Sequence, residues 1–212
     1  MPNRATVGAP AADAAEAADP RSRPVGRAEV MAAVRESAMV LFAERGPDAV
    51  TVREVADRAG VNHALIHRHY GTKEELVRVV IAGAIDRLAG VARGTANTGE
   101  DLRGVIAGTR REEPAIRLLA WAILVGYPIE SVWPDYPAFH RVQSVLADEQ
   151  ALTDGEARED PRITVATAAA MLLGWILFTP FLDRAAGLRD IPGFDDDQAL
   201  FDAAQAIFDR AR

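Results

Sequence analysis

The stretch Thr51-Val-Arg-Glu-Val-Ala-Asp-Arg-Ala-Gly-Val-Asn-His-Ala-Leu-Ile-His-Arg-His-Tyr-Gly-Thr-Lys-Glu-Glu-Leu76 decides the fold. Thr51 and Glu54 have capping-box spacing, in which each side chain satisfies a backbone N–H left open at a helix start. Val52, Val55, Ala56 and Ala59 supply the buried side of that helix. Gly60 ends it and permits a tight turn, and Val61 points back into the core. Asn62 is a good N-cap for a second short helix reaching about Tyr70. Thr72 and Glu75 repeat the capping pair and open a longer helix through Leu76, Val79, Val80 and Ile81. Two short helices joined by a glycine turn, with Ala56 small enough for close crossing, describe a helix-turn-helix, which places its second helix in the major groove of DNA. On that helix Ile66 and Tyr70 lie inward. A rotation of ~100° per residue turns Ala64, Leu65, His67 and Arg68 outward, with His63 exposed at the first turn.

Upstream, residues 28–45 carry Met31, Val34, Ala38, Leu41 and Phe42 on one helical face, and Gly46-Pro47 stops them. Downstream, the longer helix runs over 72–93, and the Gly/Thr/Asn stretch 94–99 reads as a joint. Further helices are expected over 100–109, 112–126, 137–150, 162–184 and 196–211. Asp195, Asp196 and Asp197 favour the start of the last one, as the helix dipole prefers. The fold class is all-α: residues 1–26 a disordered arm, 27–76 a three-helix DNA-binding head, and 77–212 a helical body.

Composition bounds the function. The 212 residues hold no cysteine, which excludes disulfides, thiolate metal sites and cysteine nucleophiles and fits a reducing cytoplasm. The net charge of −7 divides unevenly. Residues 21–80 hold 10 basic and 8 acidic side chains, and residues 81–212 hold 13 and 20, so the head is mildly basic and the body acidic. Local charge governs phosphate attraction, so the total does not exclude nucleic acid. Ile163 to Leu182 is uncharged and long enough to span a bilayer. With Ala/Thr-rich composition, Pro180 and thin basic flanks, it reads instead as a helix buried at the centre of a soluble protein. No metal site or cofactor is expected: His63 and His67 are spaced i, i+4, but Ala64 stands where a zinc protease has Glu. Serine is sparse and His140 stands alone in the body, so the residues of an enzyme are not assembled.

The run 51–76 resembles the tetracycline-repressor (TetR) family: a capped helix with Val-Ala, then Ala-Gly-Val, then a recognition helix ending His-Tyr, then Lys-Glu-Glu-Leu. The resemblance covers about residues 28–80. It implies that Thr51 lies beside a phosphate and that Arg53 reaches phosphate or a guanine edge. His63, Ala64, Leu65 and His67 match base-reading positions, and His69 and Lys73 match phosphate contacts; Arg68 joins them from the outward face. Two positions depart from the family pattern. His67 stands where a tyrosine is usual, and Leu65 where small polar residues are common, so the operator sequence is not implied.

By the same resemblance the protein is a homodimeric transcriptional regulator, a repressor released from a palindromic operator by a small apolar or amphipathic effector. A regulator without a small ligand is the main alternative, and a helical enzyme a remote one. The last two helices are implied to pair with their copies, through Ala169, Leu173 and Ile176 on one and Leu200, Ala203, Ala204, Ile207 and Phe208 on the other. The aromatic side of residues 162–184, with Thr167, Met171, Trp175 and Phe178, would then face a body cavity together with Trp121, Leu124, Tyr127, Phe139 and Val142. Each of these large apolar residues could equally be ordinary core.

Overall fold

A computed structural model describes residues 26–95, 102–152 and 159–211. Among these there are nine α-helices and no strand. They are α1 (Arg27–Arg45), α2 (Val52–Ala59), α3 (His63–Tyr70), α4 (Lys73–Thr95), α5 (Leu102–Arg111), α6 (Glu113–Leu124), α7 (Pro137–Leu152), α8 (Pro161–Ala185) and α9 (Asp196–Ala211). The expected arm 1–26 falls almost wholly outside the described residues. Of the expected joint at 94–99, residues 94 and 95 belong to α4, which continues to Thr95, and residues 96–99 lie outside the described residues.

The first three helices form the head. Val34, Ala38 and Phe42 of α1 pack against Val55, Ala56 and Ala59 of α2 and Ile66 and Tyr70 of α3. Leu76, Val80 and Ile81 of α4 close this core, which continues without a break into Ile85 of α4 and Ala115, Leu118 and Ala122 of α6. α4 is therefore shared by head and body. Two further contacts tie them. Arg87 of α4 pairs with Glu36 of α1, and its Nη1 lies 3.5 Å from Glu112 Oε2 at the start of α6. The indole of Trp121 lies over Gly46 so closely that a Cβ there would come within 2.9 Å of Nε1. Gly46 also has φ +75°, so the turn between α1 and α2 needs glycine twice over.

In the body, α5 and α7 flank α4, and α8 and α9 pack together on the far side. Gly108 lets α5 approach Val91 of α4, where a Cβ would come within 2.9 Å of a valine methyl. Arg110 fastens α5 to the first turn of α9 through Asp196 and Asp197, at 2.6 and 2.7 Å. Asp195 caps α9 by accepting from Gln198 N–H.

The expectation of a helix buried at the centre is overturned. α8 is long and apolar enough to cross a membrane, with mean hydropathy 1.9 over its most apolar stretch, yet only 11% of that stretch is buried within the chain. Val165, Thr164 and Ile176 turn inward, while Phe178 and Phe181 stand 58% and 64% exposed.

Candidate functional site

The helix-turn-helix is built by its caps. Thr51 Oγ1 accepts from Glu54 N–H at 3.2 Å, and Glu54 Oε2 accepts from Thr51 N–H at 2.7 Å and from the Thr51 hydroxyl at 2.8 Å. These bonds, with Arg45 donating to Glu54 Oε1 at 2.8 Å, hold the Glu54 carboxyl down to about 2. The box secures the start of α2, and Arg45 offsets the Glu54 charge at a helix end whose dipole favours anions. Gly60 closes α2 in the left-handed conformation, φ 66°, with Val61 N–H donating back to Ala56 O. Asn62 Oδ1 accepts from Ala64 N–H at 2.9 Å and starts α3.

Ile66 and Tyr70 are buried beneath α3. His63, Ala64, His67 and Arg68 are exposed, and Leu65 and His69 half-buried, so α3 presents a mixed polar and apolar outer side. The edge of one histidine ring meets the other, with His63 and His67 centroids 6.4 Å apart. His67 Nδ1 lies 3.2 Å from Gly71 O. A carbonyl only accepts, so Nδ1 carries the hydrogen and Nε2 is the atom left to face outward. Thr51 and Arg53 are exposed at the start of α2. Lys73, half-buried at the start of α4, donates from Nζ to Asp48 O at 3.3 Å. The nine residues expected at a DNA interface thus lie on α3 and at the starts of α2 and α4. Two residues missed from the sequence, Arg45 and Asn62, shape the same surface: Asn62 was read only as a cap, and Arg45 only as the end of α1.

The body holds an apolar cavity of about 280 Å³. Its walls come from α4 (Ile85, Leu88, Ala89), α5 (Val105, Ile106, Thr109), α7 (Phe139, Val142, Leu146), α8 (Val165, Ala168, Ala169, Leu172, Leu173) and α9 (Ala204, Gln205, Phe208), with Trp133 at one side. Of the nine expected lining residues, only Phe139 and Val142 are there. Trp121 and Tyr127 instead pack on the core joining head and body. Leu124 is 86% exposed at the end of α6. Thr167 and Phe178 face solvent, Met171 lies away from the cavity, and Trp175 donates its Nε1–H to Asp196.

The expected pairing surface is corrected in the same way. Leu200, Ala204, Ile207 and Ile176 are buried within the single chain, so no partner can reach them. Ala169, Leu173, Ala204 and Phe208 line the cavity, and of the eight only Ala203 is exposed. The cause is one of orientation. α8 has two apolar faces, and Val165, Ala169, Leu173 and Ile176 turn inward, while Ala166, Ala170, Phe178 and Phe181 point out. The stripe of α4 running on from Ile81 through Ile85, Leu88 and Ala89 was the sequence signal for the cavity wall, a helical period continuing past the head.

Residues 34–80 match the family described as bacterial regulatory proteins, tetR family. HTH-type transcriptional regulator Mb3439c of Mycobacterium bovis is 34% identical over 193 residues, covering 91% of this chain and 96% of the relative. HTH-type transcriptional repressor Rv3405c of Mycobacterium tuberculosis matches to the same extent, 34% over 193 residues. Among solved structures, the TetR-family regulator PfmR from Thermus thermophilus superposes with TM-score 0.60 at 17% identity, covering 83% of this chain and 97% of that one. A regulator from Aquifex aeolicus gives TM-score 0.62 at 15% identity, covering 84% and 99%. Those two likenesses concern the fold alone; the mycobacterial relatives extend over nearly the whole chain. With its capped helix-turn-helix and all-helical body, this chain belongs to the TetR family of DNA-binding transcriptional regulators.

Proposed function

We propose that this regulator is a homodimeric repressor that leaves a palindromic operator when a small molecule fills the body cavity. The observation carrying this reading is that one helix serves both ends. α4 begins at Lys73 beside the helix-turn-helix and forms the cavity wall with Ile85, Leu88 and Ala89. A ligand that displaces this wall moves the head with it, because Arg87 links α4 to Glu36 of α1. In a dimer the two recognition helices must sit about one DNA turn apart, ~34–36 Å, and a ligand favouring another spacing weakens operator binding. By linkage, the operator weakens ligand binding by the same factor.

In this reading α3 lies in the major groove. His63, Ala64, Leu65 and His67 face base edges, Arg68 lies on the same outward side, and Thr51, Arg53, His69 and Lys73 engage the backbone. The dimer forms through the outer side of α8. Ala166, Ala170, Gly174 and Phe178 make an i, i+4 row there, three small residues and one large, which suits close crossing of two helices. Phe181 and the exposed Ala203 of α9 extend it. Such a protein acts in the cytoplasm, where its operator is, and needs no cofactor.

Selection of bound sequences from random DNA, followed by titrations at several salt concentrations, tests the head. The expected outcome is an inverted repeat. Lys73→Ala should weaken specific and random DNA alike and lower the slope of log affinity against log salt by ~0.9 per subunit, or ~1.8 for the dimer. An unchanged slope would confine Lys73 to its bond with Asp48 O.

A further inference from the structure

We infer that His67 reads amino bases: at the base it faces, adenine and cytosine are accepted, and guanine and thymine are refused. The inference rests on the reading of α3 as the recognition helix and names the chemistry that one of its side chains recognises. It starts from a bond at the helix end. Gly71 closes α3 with φ 73° and ψ −72°, and its N–H donates to His67 O at 2.9 Å. Its carbonyl turns back to the same residue, 3.2 Å from His67 Nδ1. A carbonyl oxygen only accepts, so Nδ1 carries the hydrogen and Nε2 of the neutral ring keeps a lone pair. A bond of ordinary strength favours that form over the other roughly two- to ten-fold. It also holds the ring against a half-turn, which would carry Nδ1 away from Gly71 O. The edge-on contact with His63, centroids 6.4 Å apart and planes at 88°, bears on the same ring.

Nε2 is therefore an acceptor on an exposed side chain, and that limits its partner. Phosphate oxygens only accept, so the neutral ring gains nothing from the DNA backbone. In the major groove adenine N6 and cytosine N4 donate, whereas guanine O6 and thymine O4 accept. Against a keto base either two lone pairs meet, or the ring moves its hydrogen to Nε2 and gives up Gly71. Both routes cost free energy.

Neither Ala64 nor Arg68 supplies the same function. Ala64, about one turn back, offers a methyl, and Arg68, ~100° round the helix, only donates. The tyrosine usual at this position in the family carries a hydroxyl that rotates to donate or to accept. The histidine here is held by Gly71 in the accepting form.

The test uses the full chain at about pH 8, above the range in which imidazole ordinarily gains a proton. Proton–nitrogen correlation spectra show which ring nitrogen carries the hydrogen, and the His67→Ala spectrum identifies the signals that belong to this ring. The hydrogen should be on Nδ1. Selection from random DNA should give one position in each half-site where adenine and cytosine outnumber guanine and thymine. That preference should vanish in His67→Ala while the rest of the repeat stays. His67→Arg, which only donates, should turn the same position to guanine. Exchanging the amino base for its keto counterpart should weaken the parent about three- to ten-fold per half-site. An analogue lacking only the amino group, purine for adenine or pyrimidin-2-one for cytosine, should do the same and tells the two bases apart. None of these exchanges should matter to His67→Ala. A hydrogen on Nε2, a keto preference, or no position whose preference depends on His67 overturns the inference. So does a salt slope lowered by His67→Ala, which would place the ring on a phosphate. In each of those cases an inverted repeat still selected leaves the recognition-helix reading intact, whereas no selected sequence at all overturns both.

Discussion

The head and the body bury helix faces in opposite ways. In the head, Val34, Phe42, Val55 and Leu76 are all but removed from water, and short helices are fixed at their ends by Thr51, Gly60 and Asn62. In the body, the longest helix covers a cavity with one face and leaves Phe178 and Phe181 in solvent with the other. A dense core holds a reading surface at fixed geometry, and a hollow, half-covered bundle leaves apolar area for another molecule to bury. The difference is one of where stability is kept. The head keeps it in its own contacts, and under the function proposed above the body leaves part of it to a ligand inside and a second copy outside.

The sharpest way to break this contrast is to place one charge on each side of the α8–α9 pair. Leu200 is 0% exposed, and Leu200→Asp buries an unpaired carboxylate within the chain, at a cost of at least about 4 kcal/mol. Phe178→Asp lies on the exposed side and should cost the single chain less than about 1 kcal/mol, yet abolish pairing. Chemical denaturation and sedimentation of both variants separate the cases. A folded Leu200→Asp protein, or a dimer surviving Phe178→Asp, would remove the distinction between inner and outer faces.

The joint between the two regions gives the next largest effect. Gly46→Ala forces a side chain into positive φ and onto the Trp121 indole, and should destabilise by about 2–3 kcal/mol. Trp121→Ala in the same chain opens the space and should recover the steric part only, leaving the conformational part. A double-mutant cycle reads this directly. Additive losses would mean that the indole and the turn do not bear on each other.

These sites also mark what could be read in advance. The helix-turn-helix was legible down to single caps, because Thr51, Glu54, Gly60 and Asn62 act on neighbours within four residues. The nine helices were legible too, from period and breakers. The sides of α8 were not. Its two apolar faces carry the same helical period, and nothing local says that Leu173 turns in and Phe178 out; only the packing of α9 and the cavity wall decides. Trp121 was misassigned for a related reason. It is expected at the body cavity, but its meeting with Gly46 joins two segments that share no sequence pattern.

The smallest effect compares one carboxylate in each region. Glu54 is held down to about 2 from 4.5 by the Thr51 backbone, the Thr51 hydroxyl and Arg45. Asp160, ahead of α8, is held to about 2 from 3.8 by Arg162, through its side chain and its backbone N–H. A carboxyl lowered in the folded state stabilises fully above its unfolded value, and the gain fades as pH falls through the folded one. For Glu54 that window is pH 4.5 to 2, and for Asp160 it is 3.8 to 2. The two should not contribute equally. Asp160 and Arg162 are two residues apart, so much of their attraction survives in the unfolded chain and cancels from the difference. Glu54 draws on Arg45, nine residues away at the end of another helix, and that contact exists only when the head is folded. Glu54→Gln should therefore lower the melting temperature at pH 7 more than Asp160→Asn does, and its gap from the parent should close between pH 4.5 and 2. Thermal melts at pH 7, 4 and 2.5 measure both gaps. A Glu54→Gln gap that stays constant across that range would show that the box works through shape alone and that its charge contributes nothing.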